Sequence, residues 1–207
     1  MNVRVQKRTT AEPGSRSYFL LHKPFGVICQ FSGGDGKETL AAFGPFPKDV
    51  YSAGRLDTDS EGLLLLTNDG GLQHLLLEPK FRHPRTYLVQ VERIPDEEAL
   101  ARLREGVVIE GKRTLPAEAE LLSEEPAVGP RSVPIRFRKN IPTSWMRLTL
   151  REGRHRQVRK MTAAVGHPAL RLIRTHIGPL SIEGLAPGES RPLSAAEIRT
   201  LTSFLRR

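Results

Sequence analysis

The stretch Gly54-Arg55-Leu56-Asp57-Thr58-Asp59-Ser60-Glu61-Gly62-Leu63-Leu64-Leu65-Leu66-Thr67-Asn68-Asp69-Gly70 runs from a polar loop through consecutive leucines into a turn. An apolar run this short, closed by Thr67-Asn68-Asp69-Gly70-Gly71, reads as a buried strand. Leu72, Leu75 and Leu76 follow at helical spacing, and Pro79 ends that short helix. The loop before the leucines holds Arg55 with Asp57, Asp59 and Glu61 between two glycines. Such a loop can present a carboxylate at a sheet edge. On composition alone, a solvated acidic loop is the simpler reading.

Working outward, Ser17 to Leu21 reads as the first strand, stopped by the turn His22-Lys23-Pro24-Phe25-Gly26. Val27 to Phe31 is a candidate short strand, Glu38 to Phe43 a helical turn, and Tyr51 to Asp59 a loop. Thr86 to Glu92 alternates with Tyr87, Val89 and Val91 on one face. Asp96 caps a helix through Leu103, and Val107 to Ile109 and Leu115 to Leu122 are further strands. Residues 124–134 form a Pro/Gly loop, and Trp145 to Leu150 alternates again, with Trp145 expected in the core. Arg156 to Val165 fits a helix whose apolar face is Val158, Met161, Ala164 and Val165. Leu170 to Ile177 is a strand, and Ser194 caps a helix to Phe204. Strands and short helices are mixed without a βα repeat, which predicts an α+β fold with a mixed, mostly antiparallel sheet.

The chain has 207 residues, 38% hydrophobic and 27% charged, an ordinary globular composition. That length predicts one domain, or two small lobes sharing a core, at residues 17–207, behind a flexible basic arm at 1–16. No apolar run reaches membrane-spanning length, and the N-terminus lacks the apolar stretch of a signal peptide. Cys29 is the single cysteine, so no intramolecular disulfide or cysteine-based zinc site can form, and a cytoplasmic location is expected. It is expected to be a buried small residue. The histidines show no metal-ligand spacing, and Gly33-Gly34-Asp35-Gly36 lacks the ending of a phosphate loop. Neither a metal nor a cofactor is expected.

Charge is distributed unevenly. Of 32 Lys and Arg against 23 Asp and Glu, the span 131–174 holds 12 basic residues and one acid, so the rest of the chain nets 20 − 22 = −2. Most of the basic residues are Arg, the side chain suited to bidentate phosphate contacts and to stacking on bases. The span predicts a polyanion-binding face, with Arg136, Arg138, Lys139, Arg154, Arg156 and Lys160 as candidate RNA contacts. If a helix begins near Arg156, then Arg156, Arg159 and Lys160 share one side of it, near an N-terminus that favours anions.

Taken together, GRLDTDSEGLLLLTNDG, HKPFGV, RTYLVQV, EGRHRQVRKM and LRLIRTHIG, in their order along the chain, resemble the RsuA/RluB/E/F type of pseudouridine synthase over residues 18–200. The resemblance is strongest to its RluE-like branch, through RKNIPTSW and Arg156. It implies a pseudouridine synthase fold with a cleft across the sheet. Many relatives carry an N-terminal S4 RNA-binding domain, and none is expected here. The resemblance assigns Asp57 as the essential aspartate, Arg55 as the residue holding the flipped nucleotide, and Tyr87 as the stacking platform. Tyr87 is also the candidate acid–base group at C5, because its strand should fix the direction of its hydroxyl. It makes Arg159 the partner of Asp57, with Arg154 as second candidate. It leaves Asp59 and Glu61 to hold the loop through backbone hydrogen bonds, and places His22 and Lys23 on a surface near the RNA. The implied substrate is a uridine in a 23S rRNA stem-loop, acted on by a monomer without cofactor.

The chemistry fits those residue types. Isomerising uridine to pseudouridine breaks N1–C1′, turns the uracil and joins C5 to C1′, with no group gained or lost. The bond-breaking step needs one ionised carboxylate near C1′ and C2′, as nucleophile or as base. Burial raises such a group's pKa, and an Arg partner favours the charged form. The nucleotide must leave its stack, at a cost of a few kcal/mol, partly offset by about 1–3 kcal/mol from an aromatic platform. The competing expectation is a catalytically idle RNA-binding or ribosome-assembly protein on the same fold. Such a protein would be expected to lose Asp57, Tyr87 or an Arg partner, and all are present.

Overall fold

Four leucines in succession are buried only if both faces of their strand are covered, and the chain folds to cover them. The computed structural model describes residues 15–135 and 141–206. In its first half the elements are β1 (Tyr18–Lys23), β2 (Tyr51–Ser52), β3 (Glu61–Thr67), α1 (Gly70–Leu77), β4 (Arg85–Glu92) and α2 (Glu97–Glu105). These are followed by β5 (Val108–Ile109), β6 (Lys112–Arg113), β7 (Glu118–Leu121), β8 (Thr143–Leu150), α3 (Gln157–Ala164), β9 (Ala169–Ile177), β10 (Leu180–Ser181), β11 (Ser190–Pro192) and α4 (Ala195–Leu205). Every residue of β3 is buried. On one face Leu63 and Leu65 pack with Leu72 and Leu76 of α1 and with Leu201 and Leu205 of α4. On the other, Leu64 and Leu66 pack with Leu21, Val27, Leu40 and Val50. The alternation follows from the two-residue repeat of a strand.

The main sheet runs β11-β1-β3-β9-β4-β8-β7, with β2 added to β3 and β10 to β9. The β3–β9 pairing is parallel, through Glu61↔Ile173 and Gly62↔Arg174, and the other pairings of this sheet are antiparallel. The fold is therefore α+β with a mixed, mostly antiparallel sheet. Gly62 makes the parallel junction possible. Its φ is +116°, and a Cβ there would lie 2.3 Å from the Arg174 carbonyl oxygen. Beyond the junction, Val89, Val91, Met146 and Leu148 build a separate core with α2 and α3.

The structure departs from the sequence reading at several elements. Ser15 and Arg16, counted with the arm, are tied to the turn after β3: Asn68 donates to the Ser15 carbonyl and Arg16 lies 3.4 Å from Asp69. Tyr51–Ser52 is a short strand on β3 rather than a loop. Val27 to Phe31 supplies one isolated bridge, Ile28 to Thr39, in place of a strand. Val108–Ile109 joins no large sheet; it pairs with Lys112–Arg113 around Glu110 and Gly111, both at positive φ. Ala164 is exposed at the end of α3, where its carbonyl accepts from Arg102. Gln157 and Thr162 are buried on that helix instead.

Candidate active site

The parallel junction places the loop before β3 beside the middle of β4. A cavity of about 410 Å³ opens there, lined by Arg55, Asp57 and Ser60 from the loop, by Tyr87 and Arg174 from the sheet, and by Arg156. Tyr87 stands opposite Leu148 on β8 and Arg174 on β9. The β4–β9 register shifts between Thr86 and Tyr87, passing over Thr175. Such a bulge re-aims neighbouring side chains, and here it lies at the cavity wall. Asp57, from the loop, and Tyr87, from β4, both line this cavity.

The arginine pairing differs from expectation. Arg156 Nη1 lies 3.5 Å from Asp57 Oδ2, and Arg156 also donates to both Asp59 oxygens, at 3.0 and 2.7 Å. Arg159, the expected partner of Asp57, reaches Asp59 instead. Its Nε lies 3.4 Å from the Asp59 carboxylate, and its other nitrogens donate to the backbone carbonyls of Asp59 and Ala169. The cause is local. Arg156 is the N-cap of α3 with φ +53°, a left-handed conformation that turns it away from the helix and back on the loop. Asp59 feels burial first, which opposes ionisation. The Arg156 hydrogen bonds and the Arg159 charge outweigh this and hold its carboxyl below the ordinary range. Burial lowers the pKa of Arg159, against the pull of Asp59.

Other expected RNA contacts are committed within the protein. Arg154 donates to Glu152 and to the carbonyls of Lys112 and Arg113, so it braces the β6 turn and is not bound to Asp57. Lys160 pairs with Glu110. Arg55 and Arg82 stand exposed at the cavity rim. Arg136, Arg138 and Lys139 lie outside the described residues.

The remaining loop acids, Asp59 and Glu61, are held chiefly by arginines. Glu61 takes a two-pronged contact from Arg171, 2.8 Å at each oxygen, with both side chains buried. His22 and Lys23 are interior, not surface, residues. Lys23 Nζ donates to the carbonyls of Pro24 and Val27, and burial pushes its ammonium down to about 8. Cys29 is partly exposed, not buried, and its Sγ accepts from Leu56 N at 3.2 Å, immediately before Asp57. Arg174 is a buried pocket residue that sequence reasoning missed, as it missed Arg82 and Arg85, which line the same cavity. It is buried at 4% exposure, behind the loop. Its signal was an Arg following Leu170, Leu172 and Ile173 in the strand Leu170 to Ile177, where a buried charge needs partners. Among the described residues no group of His, Cys, Asp and Glu is arranged to hold a metal ion, and no helix is long and apolar enough to cross a membrane.

Residues 17–164 match the family described as RNA pseudouridylate synthase. The chain is 52% identical over 170 residues to the ribosomal large subunit pseudouridine synthase E of Xanthomonas axonopodis pv. citri, covering 81% of this chain and 89% of that protein. It is 49% identical over 175 residues to the protein of the same name from Vibrio parahaemolyticus, covering 84% and 73%. Among solved structures, a pseudouridylate synthase superposes with a TM-score of 0.75 at 35% identity, covering 90% of this chain and 74% of that one. A carboxylate beside an arginine, facing a tyrosine across a nucleotide-sized cavity on this sheet, therefore has a family: the chain belongs to the RNA pseudouridylate synthases, the enzymes that isomerise uridine in RNA to pseudouridine.

Proposed function

We propose that this chain converts one uridine of large-subunit ribosomal RNA, presented in a stem-loop, with Asp57 as the reacting carboxylate and Tyr87 as the platform for the flipped base. The observation that carries the reading is the placement of Asp57. Its carboxylate is 36% exposed into the cavity and 3.5 Å from Arg156, while the neighbouring acids, Asp59 and Glu61, are tied to arginines. With the Arg156 guanidinium beside it, the Asp57 carboxylate attacks C1′ or removes the C2′ proton. Once N1–C1′ has broken, the uracil turns on Tyr87, C5 bonds to C1′, the C5 proton leaves and N1 takes one up. Arg55 and Arg82, exposed at the rim, hold the flanking phosphates. Relatives named for the large subunit support the choice of RNA. The chain acts as a monomer in this reading, and the substrate would place it in the cytoplasm.

Pseudouridine mapping of ribosomal RNA from a strain lacking this protein tests the reading. Loss of pseudouridine at one large-subunit position, restored by the wild-type gene and not by a D57N gene, is expected. An unchanged large-subunit map sinks it.

A further inference from the structure

The floor of the cavity holds a guanidinium that the reaction as described does not use. Arg174 stands on β9 opposite Tyr87 of β4 and opposite Gly62 of β3. Its Nε donates to the Leu63 carbonyl at 2.8 Å, and its Nη1 reaches the Arg55 carbonyl at 3.5 Å. Those carbonyls bracket Asp57 along the chain, so one side chain pins the loop on both sides of the carboxylate. Its Nη2 has no partner and no exposure. Of the buried side-chain polar atoms without a partner among the described residues, Ser60 Oγ, His83 Nε2 and Arg174 Nη2 belong to residues lining this cavity. Arg174 is the one that carries a charge, and the one paired across the sheet with Tyr87.

We infer that Arg174 Nη2 donates to a carbonyl oxygen of the target uracil. The inference rests on the roles proposed for Asp57 and Tyr87. Directly opposed residues on neighbouring strands point to one face, with Cβ atoms about 4.5–5.5 Å apart. A base stacked on Tyr87 therefore brings its edge to the Arg174 side chain. A buried donor without an acceptor carries a free-energy penalty that an incoming acceptor relieves. Uracil offers O2 and O4 as acceptors at its edge. Phosphates are matched by the exposed arginines of the rim, not by a group closed off at the floor.

The donor also suits the reaction coordinate. When N1–C1′ breaks, its electron pair stays with the uracil, delocalised over N1, O2 and O4, until C5 uses a pair to bond C1′. A fixed cationic donor binds that anion more tightly than the neutral base, and interactions of this kind lower the barrier. Arg174 acts by hydrogen bonding alone and transfers no proton.

Single-turnover rates on the mapped stem-loop, with its target uridine replaced by 2-thiouridine or by 4-thiouridine, test the inference, because sulfur accepts hydrogen bonds poorly. One of the two substitutions is expected to slow the wild-type protein by about fivefold or more, and the position that does so identifies O2 or O4. That penalty is expected to shrink by at least about threefold in Arg174→Met, which keeps the side-chain bulk and cannot donate. Wild-type rates that fall less than this at both positions overturn the inference. So does a penalty that persists in the variant. The wild-type comparison decides alone if Arg174→Met does not fold. A wild-type protein that leaves the unmodified stem-loop unconverted overturns the functional reading, and this inference with it.

Discussion

Asp57 and Asp59 lie two residues apart with nearly equal exposure, 36% and 37% for the side chains, yet their surroundings differ. Asp59 is gripped by the forked contact from Arg156 and by Arg159, and is held ionised as a structural anion. Asp57 shares only the outer edge of Arg156 and stays open to the cavity. Asp57→Asn is expected to abolish isomerisation while leaving RNA affinity within a few-fold. Tritium release from 5-³H-uridine-labelled RNA, with binding measured in parallel, checks both halves; turnover within tenfold of wild type would remove Asp57 from its role. Lys23 yields a separate prediction. Its folded-state pKa of about 8 lies below the ordinary 10.5. Between those values the unfolded chain binds more protons, so this residue's contribution to stability rises with pH through that window and is lost as pH falls to 8. From pH 8 to 10 the wild type is expected to gain about 2 kcal/mol relative to Lys23→Met in denaturant unfolding. Parallel pH dependences in the two proteins would refute it. The residue types at these positions were legible in the sequence, but their pairing was not. The i, i+3, i+4 spacing of Arg156, Arg159 and Lys160 assumed a helical Arg156, whereas its left-handed backbone turns it on the loop.

At the scale of elements, the strands that a leucine run or a two-residue alternation marks, β1, β3, β4, β8 and β9, lie where their patterns put them. The elements that escaped the reading are two or three residues long. β2, β6, β10 and β11 bury too little apolar surface to print a period; β2, β10 and β11 each add to the edge of a longer strand, and β6 pairs with the equally short β5. The β3–β9 junction was equally hidden, since residues more than a hundred positions apart leave no local mark of their pairing. Gly62 is its sequence trace, and gives the prediction for this scale. Gly62→Ala would set a methyl group against the Arg174 backbone at a positive φ, where an L side chain is strained. A loss of roughly 2–4 kcal/mol in unfolding free energy is expected. Activity should fall more than stability explains, because the same contact sets Asp57 against Tyr87. A variant with unchanged melting and turnover would show that the junction tolerates separation.

For the whole molecule, the net charge of +9 suggested a broad cationic face on residues 131–174. Much of that charge is internal. Arg154, Arg156, Arg159 and Lys160 pair with acids of the Asp57 loop and of the segments packed against it, and Arg171 is buried against Glu61. Among the described residues, the charge left exposed around the cavity is therefore smaller than the composition implies, and includes Arg55 and Arg82 at the rim. RNA affinity should still weaken with salt. Replacing Arg55 and Arg82 by Ala should make the log–log slope shallower by roughly 1–1.5, at about 0.7 per single-strand phosphate contact. A slope unchanged by this double substitution would move the RNA track off this rim.

The two-pair junction of β3 and β9 has a consequence in time. Every arginine that orders the Asp57 loop, from Arg156 to Arg174, belongs to the last third of the chain, and closing so long a loop comes late in folding. A nascent chain still emerging from the ribosome carries Asp57 and Tyr87 but has no junction to bring them together. This enzyme, proposed to act on RNA of the machine that makes it, is thus expected to be inert until β9 has been made and has paired with β3. Its competence begins only when β9 has docked.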